Sequence, residues 1–147
     1  AGMGPGMVDG AALVLIGAHG AFDTPPRARI LACATAGEEP ARTLLASIAA
    51  ARKALGRAGM AASDIDLFEC HEAWPITPLL FEREWNLDPV RVNVNGGCIA
   101  MGHPMGASGA IILGVLLDEL ERQGKSTGLC CISGGAGVGA AMIIERC

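Results

Sequence analysis

Short apolar runs, which are typical of buried strands, recur along the chain. They occupy residues 29–35, 65–70, 129–132 and 138–144, and a turn at residue 8 leads into a further strand-like run that ends at Gly17. Each run is bounded by glycine, proline or charged residues, which interrupt regular pairing. The pattern therefore predicts several short strands separated by longer segments.

The segments between these runs have helical periodicity. Residues 40–59 place Leu44, Leu45, Ile48 and Leu55 at helical spacing, and Gly59 is a suitable C-terminal cap. Residues 73–85 predict a second helix whose first turns must hold Pro75 and Pro78. Residues 106–123 predict a third helix whose inward face consists of Ile111, Val115, Leu116 and Leu120. Alternating strands and helices predict a layered α/β domain.

Composition narrows the class of protein. Hydrophobic residues make up 51% of the chain and charged residues 18%, which excludes a disordered tail. The formal net charge of −4 argues against nucleic-acid binding, for which a basic face is expected. The apolar stretch 111–117 is too short for a membrane span of about 20 residues.

The six cysteines do not form a disulfide pattern. Cys130 and Cys131 are adjacent, and most of the others lie in apolar runs. With no signal peptide at the start of the sequence, we expect reduced thiols in a cytoplasmic compartment, with an organelle matrix as the alternative. Cys-x-x-Cys and His-x-x-x-His pairs are absent, so the spacing predicts no metal site.

The stretch 93–109 is the most informative part of the chain. It reads Asn93-Val-Asn-Gly-Gly-Cys-Ile-Ala-Met-Gly-His-Pro-Met-Gly-Ala-Ser-Gly109, with one histidine and no charged side chain. Glycine lets a ligand approach the backbone, and the helix that follows offers free amides. On its own, His103 is equally well explained as a structural histidine in a Gly-His-Pro turn.

Two other segments bring chemically competent side chains to the ends of predicted strands. Cys131 lies in the run Cys130-Cys-Ile-Ser-Gly-Gly-Ala-Gly, which delivers a thiol to a flexible turn. His71 lies in Cys70-His-Glu-Ala-Trp74, at a strand-to-helix junction. A buried free cysteine and a helix cap remain the structural alternatives for these two residues.

Taken together, these segments resemble the C-terminal half of the thiolase family. The stretch around His103 is similar to the family's catalytic-histidine signature, and Cys131-Ile-Ser-Gly-Gly-Ala-Gly is similar to that of its acid/base cysteine. His71-Glu-Ala-Trp stands where many thiolases have Asn-Glu-Ala-Phe. The resemblance implies a thiolase-like layered α/β domain with a five-stranded mixed sheet and helices. Residues 1–26 would be the remnant of the N-terminal half, and residues 27–147 the C-terminal domain.

The resemblance also implies a chemistry: acyl transfer between acyl-CoA thioesters, with coenzyme A as a substrate and no cofactor. His103 would activate the nucleophilic cysteine, Cys131 would move the proton at the α-carbon, and His71 would contribute to an oxyanion hole. The backbone N–H of Ser133 would be a second oxyanion donor. Asn93 and Asn95 would support the loop.

The chain departs from the family pattern at several positions. The acylated cysteine belongs to the N-terminal half, so a separate half or subunit is the implied partner, in a homo- or hetero-oligomer. Met3 and Pro5 replace an asparagine and a serine that contacts coenzyme A, Cys98 replaces alanine or serine, and Ser133 replaces glycine. These departures leave a second hypothesis open: a non-catalytic thiolase-like module that binds acyl-CoA or stabilises a partner.

Overall fold

A computed structural model describes residues 4–147 of the chain. The strands are β1 (Ala28–Gly37), β2 (Leu67–Cys70), β3 (Thr127–Gly134) and β4 (Val138–Arg146). The helices are α1 (Ala46–Ala58), α2 (Ile76–Trp85), α3 (Cys98–Met101) and α4 (Ser108–Gln123). Short 3-10 turns lie at residues 40–45, 62–64, 89–91, 105–107 and 135–137.

The strands form one mixed sheet in the order β1-β4-β3-β2. Strand β4 is antiparallel to both β1 and β3, whereas β2 and β3 are parallel. The predicted mixed α/β class is confirmed. Within residues 4–147 the sheet has four strands rather than the expected five.

The missing strand is the predicted run at residues 8–17, which forms no strand and is exposed along its length. Leu13 and Leu15 are 90% and 72% exposed. A strand needs a neighbour for its N–H and C=O groups, and the segment's pairing in the described structure is a single bridge between Met7 and His103. The strand prediction for residues 8–17 is therefore wrong for this chain taken alone.

Helices cover the two faces of the sheet unequally. Helix α1 packs along β1, β4 and β3 on one face, and α4 packs mainly over β3 and β2 on the other. The α1 side is alanine-rich, which lets the helix approach the sheet closely. A Cβ placed on Gly139 of β4 would lie 2.1 Å from the carbonyl oxygen of Ala46, so only glycine fits there.

The predicted helix boundaries agree with the structure to within a few residues. The 40–59 segment begins with a 3-10 turn, because Arg42 leaves helical geometry, and ends at the left-handed cap Gly59 (φ 66°). Helix α2 starts at Ile76 instead of residue 73, since Pro75 is its N-cap. Pro78 lies in its first turn, as expected.

The inward face of α4 differs from the prediction by one position. Ile112, Leu116 and Leu120 are fully buried, whereas Ile111 and Val115 are only half-buried. Two consecutive isoleucines offer two possible i, i+4 rows, and the row that meets β2 and β3 is the one through Ile112. None of the helices in residues 4–147 is long and apolar enough to cross a membrane.

The parallel pair β2–β3 positions the candidate site. Parallel strands end at the same edge of a sheet, and the residues that follow β2 therefore lie beside the end of β3. The backbone N–H of His71, directly after β2, donates to the carbonyl of Cys131 at 2.9 Å. The loop 93–107 then crosses this same edge before α4 begins at Ser108.

Candidate functional site

His71 and His103 face each other at the edge of the sheet. Nε2 of His71 lies 3.2 Å from Nδ1 of His103, and the ring centroids are 4.4 Å apart. His71 is 2% exposed, whereas His103 is only partly buried. The Ser108 hydroxyl lies 2.6 Å from the same Nδ1. Nδ1 of His103 thus faces both of these neighbours, and Nε2 lies on the opposite side of its ring.

His71 is neutral at physiological pH. Burial, and to a lesser degree repulsion from His103, lower the pKa of His71 to about 4. Its Nδ1 is buried without a hydrogen-bond partner among the described residues.

The two asparagines tie the loop to its surroundings. The Asn93 side chain accepts a hydrogen bond from Cys70 N at 2.7 Å and donates to Cys70 O at 2.9 Å, so it extends the pairing of β2. Nδ2 of Asn95 donates to Glu119 of α4 at 3.0 Å. The loop is thus held at its first residues to both the sheet and the helix.

Glu72 is a third anchor of the loop. Its carboxylate accepts the backbone N–H of Ile99 at 3.0 Å and lies directly against Gly97. A Cβ on Gly97 would lie 2.5 Å from the carboxyl carbon, so a larger residue at this position forces the Glu72 side chain to move. These contacts give Glu72 an orienting role rather than that of a solvated carboxylate.

The segment before Gly10 lies along the His103 loop. The N–H of His103 donates to the carbonyl of Gly6 at 2.8 Å, and the side chain of Val8 packs against Gly102. Pro5 is partly buried at the start of this segment. Met3, the other residue that departs from the family pattern here, lies outside the described residues.

Cys131 is buried in the core cluster on the α1 side of the sheet. Burial, followed by a hydrogen bond with Cys70, raises the pKa of the Cys131 thiol well above its usual range. A thiol that removes a proton from carbon needs a lowered pKa, and the surroundings of Cys131 act in the opposite direction. His71 lies between the two predicted catalytic residues: its backbone contacts Cys131, and its ring contacts His103.

The backbone N–H of Ser133 points to the same edge as His71. N–H and C=O groups alternate sides along a strand, and Cys131 directs its carbonyl toward His71. Ser133, two residues further, directs its N–H to that side too, past the end of β2. It keeps ordinary strand geometry, so the serine adds no backbone strain. Its hydroxyl is buried without a partner among the described residues.

The structure adds two residues that the sequence did not assign to the site. Ser108 contacts His103, and its signal was the Ser-Gly pair that ends the loop signature. Cys98, which departs from the family pattern, is fully buried near the Ser108 hydroxyl. One ligand atom each from His71, Cys98 and His103 lies within 4.8 Å of the others, a set able to hold a metal ion.

A hollow lies away from the histidine pair. Its volume is about 480 Å³, and it lies on the face of the sheet that α4 leaves partly open. Its walls include Val14, Ile16, Cys33 and Met142 but neither His71 nor His103. This hollow is therefore separate from the site around the histidines.

Comparisons with known proteins show to which family the chain belongs. The family model of the thiolase C-terminal domain matches residues 24–146. Acetyl-CoA acetyltransferase of Rhizobium meliloti is 44% identical over 149 aligned positions, covering 99% of this chain and 38% of that protein. The cytosolic acetyl-CoA acetyltransferase of Mus musculus is 40% identical over 144 positions, covering 96% of this chain and 36% of the relative.

A solved structure gives the same result for the fold. The crystal structure of the Bacillus anthracis acetyl-CoA acetyltransferase superposes with a TM-score of 0.81 at 37% identity, covering 84% of this chain and 31% of that one. The chain spans somewhat more than a third of the length of the curated relatives it matches. The chain belongs to the thiolase family and carries its C-terminal domain.

Proposed function

We propose that this chain acts in acyl transfer between acyl-CoA thioesters, by thiolysis or Claisen condensation, with the nucleophilic cysteine contributed by an N-terminal thiolase half. The observation that carries the proposal is the His71–His103 pair, 3.2 Å apart, at the edge where the Ser133 N–H also points. An imidazole with one free nitrogen and nearby N–H donors are the groups that thioester chemistry requires.

His103 acts as the base toward the incoming cysteine. In the form that accepts a proton, Nδ1 carries the hydrogen and donates it to Ser108 Oγ at 2.6 Å. Nε2 then presents its lone pair toward the exposed side of the ring. Ser108 is a positioning residue in this scheme because it fixes the tautomer of His103.

His71 and the Ser133 N–H supply donors for the developing negative charge on the thioester oxygen. His71 is neutral, so it can donate an N–H without bringing a competing positive charge next to His103. The Ser133 donor belongs to the backbone and needs no reorganisation. Each preorganised donor of this kind contributes about 10²–10³ in rate.

Cys131 serves best as a proton donor. Its raised pKa keeps the thiol protonated at neutral pH, which suits protonation of the departing carbanion. The reverse step, removal of the α-carbon proton, requires the N-terminal half and substrate to change the surroundings of the thiol.

We place the activity in the cytoplasm, where the six free thiols of this chain remain reduced.

The test uses this chain assembled with an N-terminal thiolase half. We expect the assembly to cleave acetoacetyl-CoA in the presence of coenzyme A, and His103→Ala to lower turnover by about 10²–10⁴-fold, the contribution of a positioned acid or base. His19→Ala is the matched control, since His19 is exposed and away from the site. If the His103→Ala assembly turns over normally, the proposed catalytic role is wrong. The chain would then have only an acyl-CoA-binding or partner-stabilising role.

A further inference from the structure

We propose that His71, Cys98 and His103 form a binding site for a thiophilic divalent cation of the Zn²⁺ type. The three residues come from separate segments: the end of β2, helix α3 and the loop before α4. Their ligand atoms nevertheless lie within 4.8 Å of one another. Two imidazoles and one thiolate form a donor set suited to zinc, whereas magnesium and calcium prefer oxygen ligands.

The histidine pair already has the separation that such an ion requires. Zinc–nitrogen bonds of about 2.0–2.1 Å at a tetrahedral angle place the two nitrogens about 3.3 Å apart. The observed distance between His71 Nε2 and His103 Nδ1 is 3.2 Å. A zinc–sulfur bond of about 2.3 Å requires the thiolate about 3.5 Å from each nitrogen. The ligand atoms of the three residues lie within 4.8 Å of one another, so a small movement of Cys98 toward the histidines completes the set.

Burial and charge favour a cation at this position. Cys98 and His71 are 0% and 2% exposed, so an ion between them is shielded from water on the protein side. The Glu72 carboxylate lies beside the residue that follows Cys98, where it accepts the N–H of Ile99. His103 is only partly buried, which leaves a fourth coordination position open to solvent, as in zinc sites that bind exogenous ligands.

Binding exchanges one proton for the ion. The Cys98 thiol releases its proton to solvent, and both imidazoles remain neutral with their remaining N–H on the nitrogen that faces away from the ion. On His71 that nitrogen is Nδ1, which has no acceptor among the described residues. Because dedicated zinc sites provide such an acceptor, we expect reversible binding rather than a structural ion.

The experiment titrates the whole chain, kept reduced, with Co²⁺ as a spectroscopic substitute for Zn²⁺. We expect one Co²⁺ per chain, with a sulfur-to-cobalt charge-transfer band and the intense visible bands of tetrahedral cobalt, all removed by excess Zn²⁺. Cys98→Ala should abolish the charge-transfer band and weaken binding at least tenfold. His71→Asn should weaken binding similarly.

These variants are expected to fold, because alanine at position 98 and asparagine at position 71 are the residues that resemble the family pattern; circular dichroism checks this. Cys33→Ala and His19→Ala, at an exposed thiol and an exposed imidazole, are the matched controls and should bind as the parent does. The proposal is overturned if the parent shows no charge-transfer band, if Cys98→Ala keeps it, or if Cys33→Ala loses it. The readout is binding, so it stands apart from any result on catalysis.

Discussion

The site depends on residues that hold other residues in place. His103 is fixed at its backbone by Gly6 and at its ring by Ser108 and His71. Glu72, which carries no chemistry of its own in this scheme, holds the loop that presents Cys98 and His103. The contact between Glu72 and Gly97 can be tested directly, because a side chain at position 97 would occupy the space that the Glu72 carboxylate fills.

Gly97→Ala should destabilise the chain by about 1–3 kcal/mol, the usual cost of overpacking. The backbone at Gly97 is extended and accepts alanine, so the cost comes from the new Cβ, 2.5 Å from the Glu72 carboxyl carbon. The carboxylate must move and release the N–H of Ile99. Chemical denaturation of the parent and the variant measures the difference in the free energy of unfolding.

A double-mutant cycle identifies the cause of that loss. In a Glu72→Ala background, where the carboxylate is gone, Gly97→Ala should cost much less. Gly106→Ala, where a Cβ meets nothing within 4 Å, is the neutral comparison. Equal costs of Gly97→Ala in both backgrounds would show that Glu72 does not occupy this space.

The motifs led to residues that lie together, and their roles stay predictions. The four motif residues His71, His103, Asn93 and Asn95 all lie on one edge of the domain. No spacing of residues along the sequence predicts that Cys98 lies near the two histidines. This proximity follows from the path of the 93–103 loop, which long-range bonds to β2 and α4 determine.

At the scale of elements, glycine and proline made the boundaries predictable. Gly59 and Gly124 end α1 and α4 in left-handed geometry, and Pro75 delays the start of α2. The inward face of α4 was harder, because Ile111 and Ile112 are adjacent and the sequence does not say which one meets the sheet. Strand β2 has only four residues, so side-chain hydrogen bonds as well as the backbone hydrogen bonds between the strands hold it against β3.

Asp66 makes that connection at the start of both strands. One carboxylate oxygen accepts the N–H groups of Ser126 and Thr127, each at 2.9 Å. Burial alone would raise the pKa of Asp66, but these bonds outweigh it and lower the pKa from its ordinary value of 3.8. We expect Asp66→Ala to cost about 1–3 kcal/mol at pH 7, because the N–H groups lose a charged acceptor.

The pH dependence of that loss has a definite sign. A lowered folded-state pKa gives stability that is present above the unfolded value and disappears as the pH falls through the folded value. The difference between parent and Asp66→Ala should therefore shrink steadily below about pH 4. Asp23→Ala, at an exposed carboxylate, should show no such difference in denaturation at pH 7 and pH 3. If the difference in the free energy of unfolding between the parent and Asp66→Ala stays constant between pH 7 and pH 3, the ionised Asp66 carboxylate is not its source.

At the scale of the whole molecule, the chain leaves apolar surface uncovered. The run Leu13–Ile16 is exposed, with Val14 and Ile16 toward the hollow in the sheet and Leu13 and Leu15 away from it. An extended run that is apolar on both sides is typical of a strand buried on both faces. The sequence predicted a strand there because the run has the apolar composition of a buried strand. The described structure provides no neighbouring strand to pair with it.

We expect the chain on its own to self-associate through this run. Contiguous exposed apolar surface of this kind promotes association, and unpaired extended backbone promotes it further. Leu13→Ser together with Leu15→Ser should shift sedimentation-velocity profiles toward the monomer. The free energy of unfolding should stay within about 0.5 kcal/mol of the parent, since both side chains already lie in solvent.

The matched control, Leu13→Met with Leu15→Met, keeps the apolar character and should associate as the parent does. Association that persists in the serine variant would assign the contact to another surface, such as the open sheet face around Cys33 and Met142.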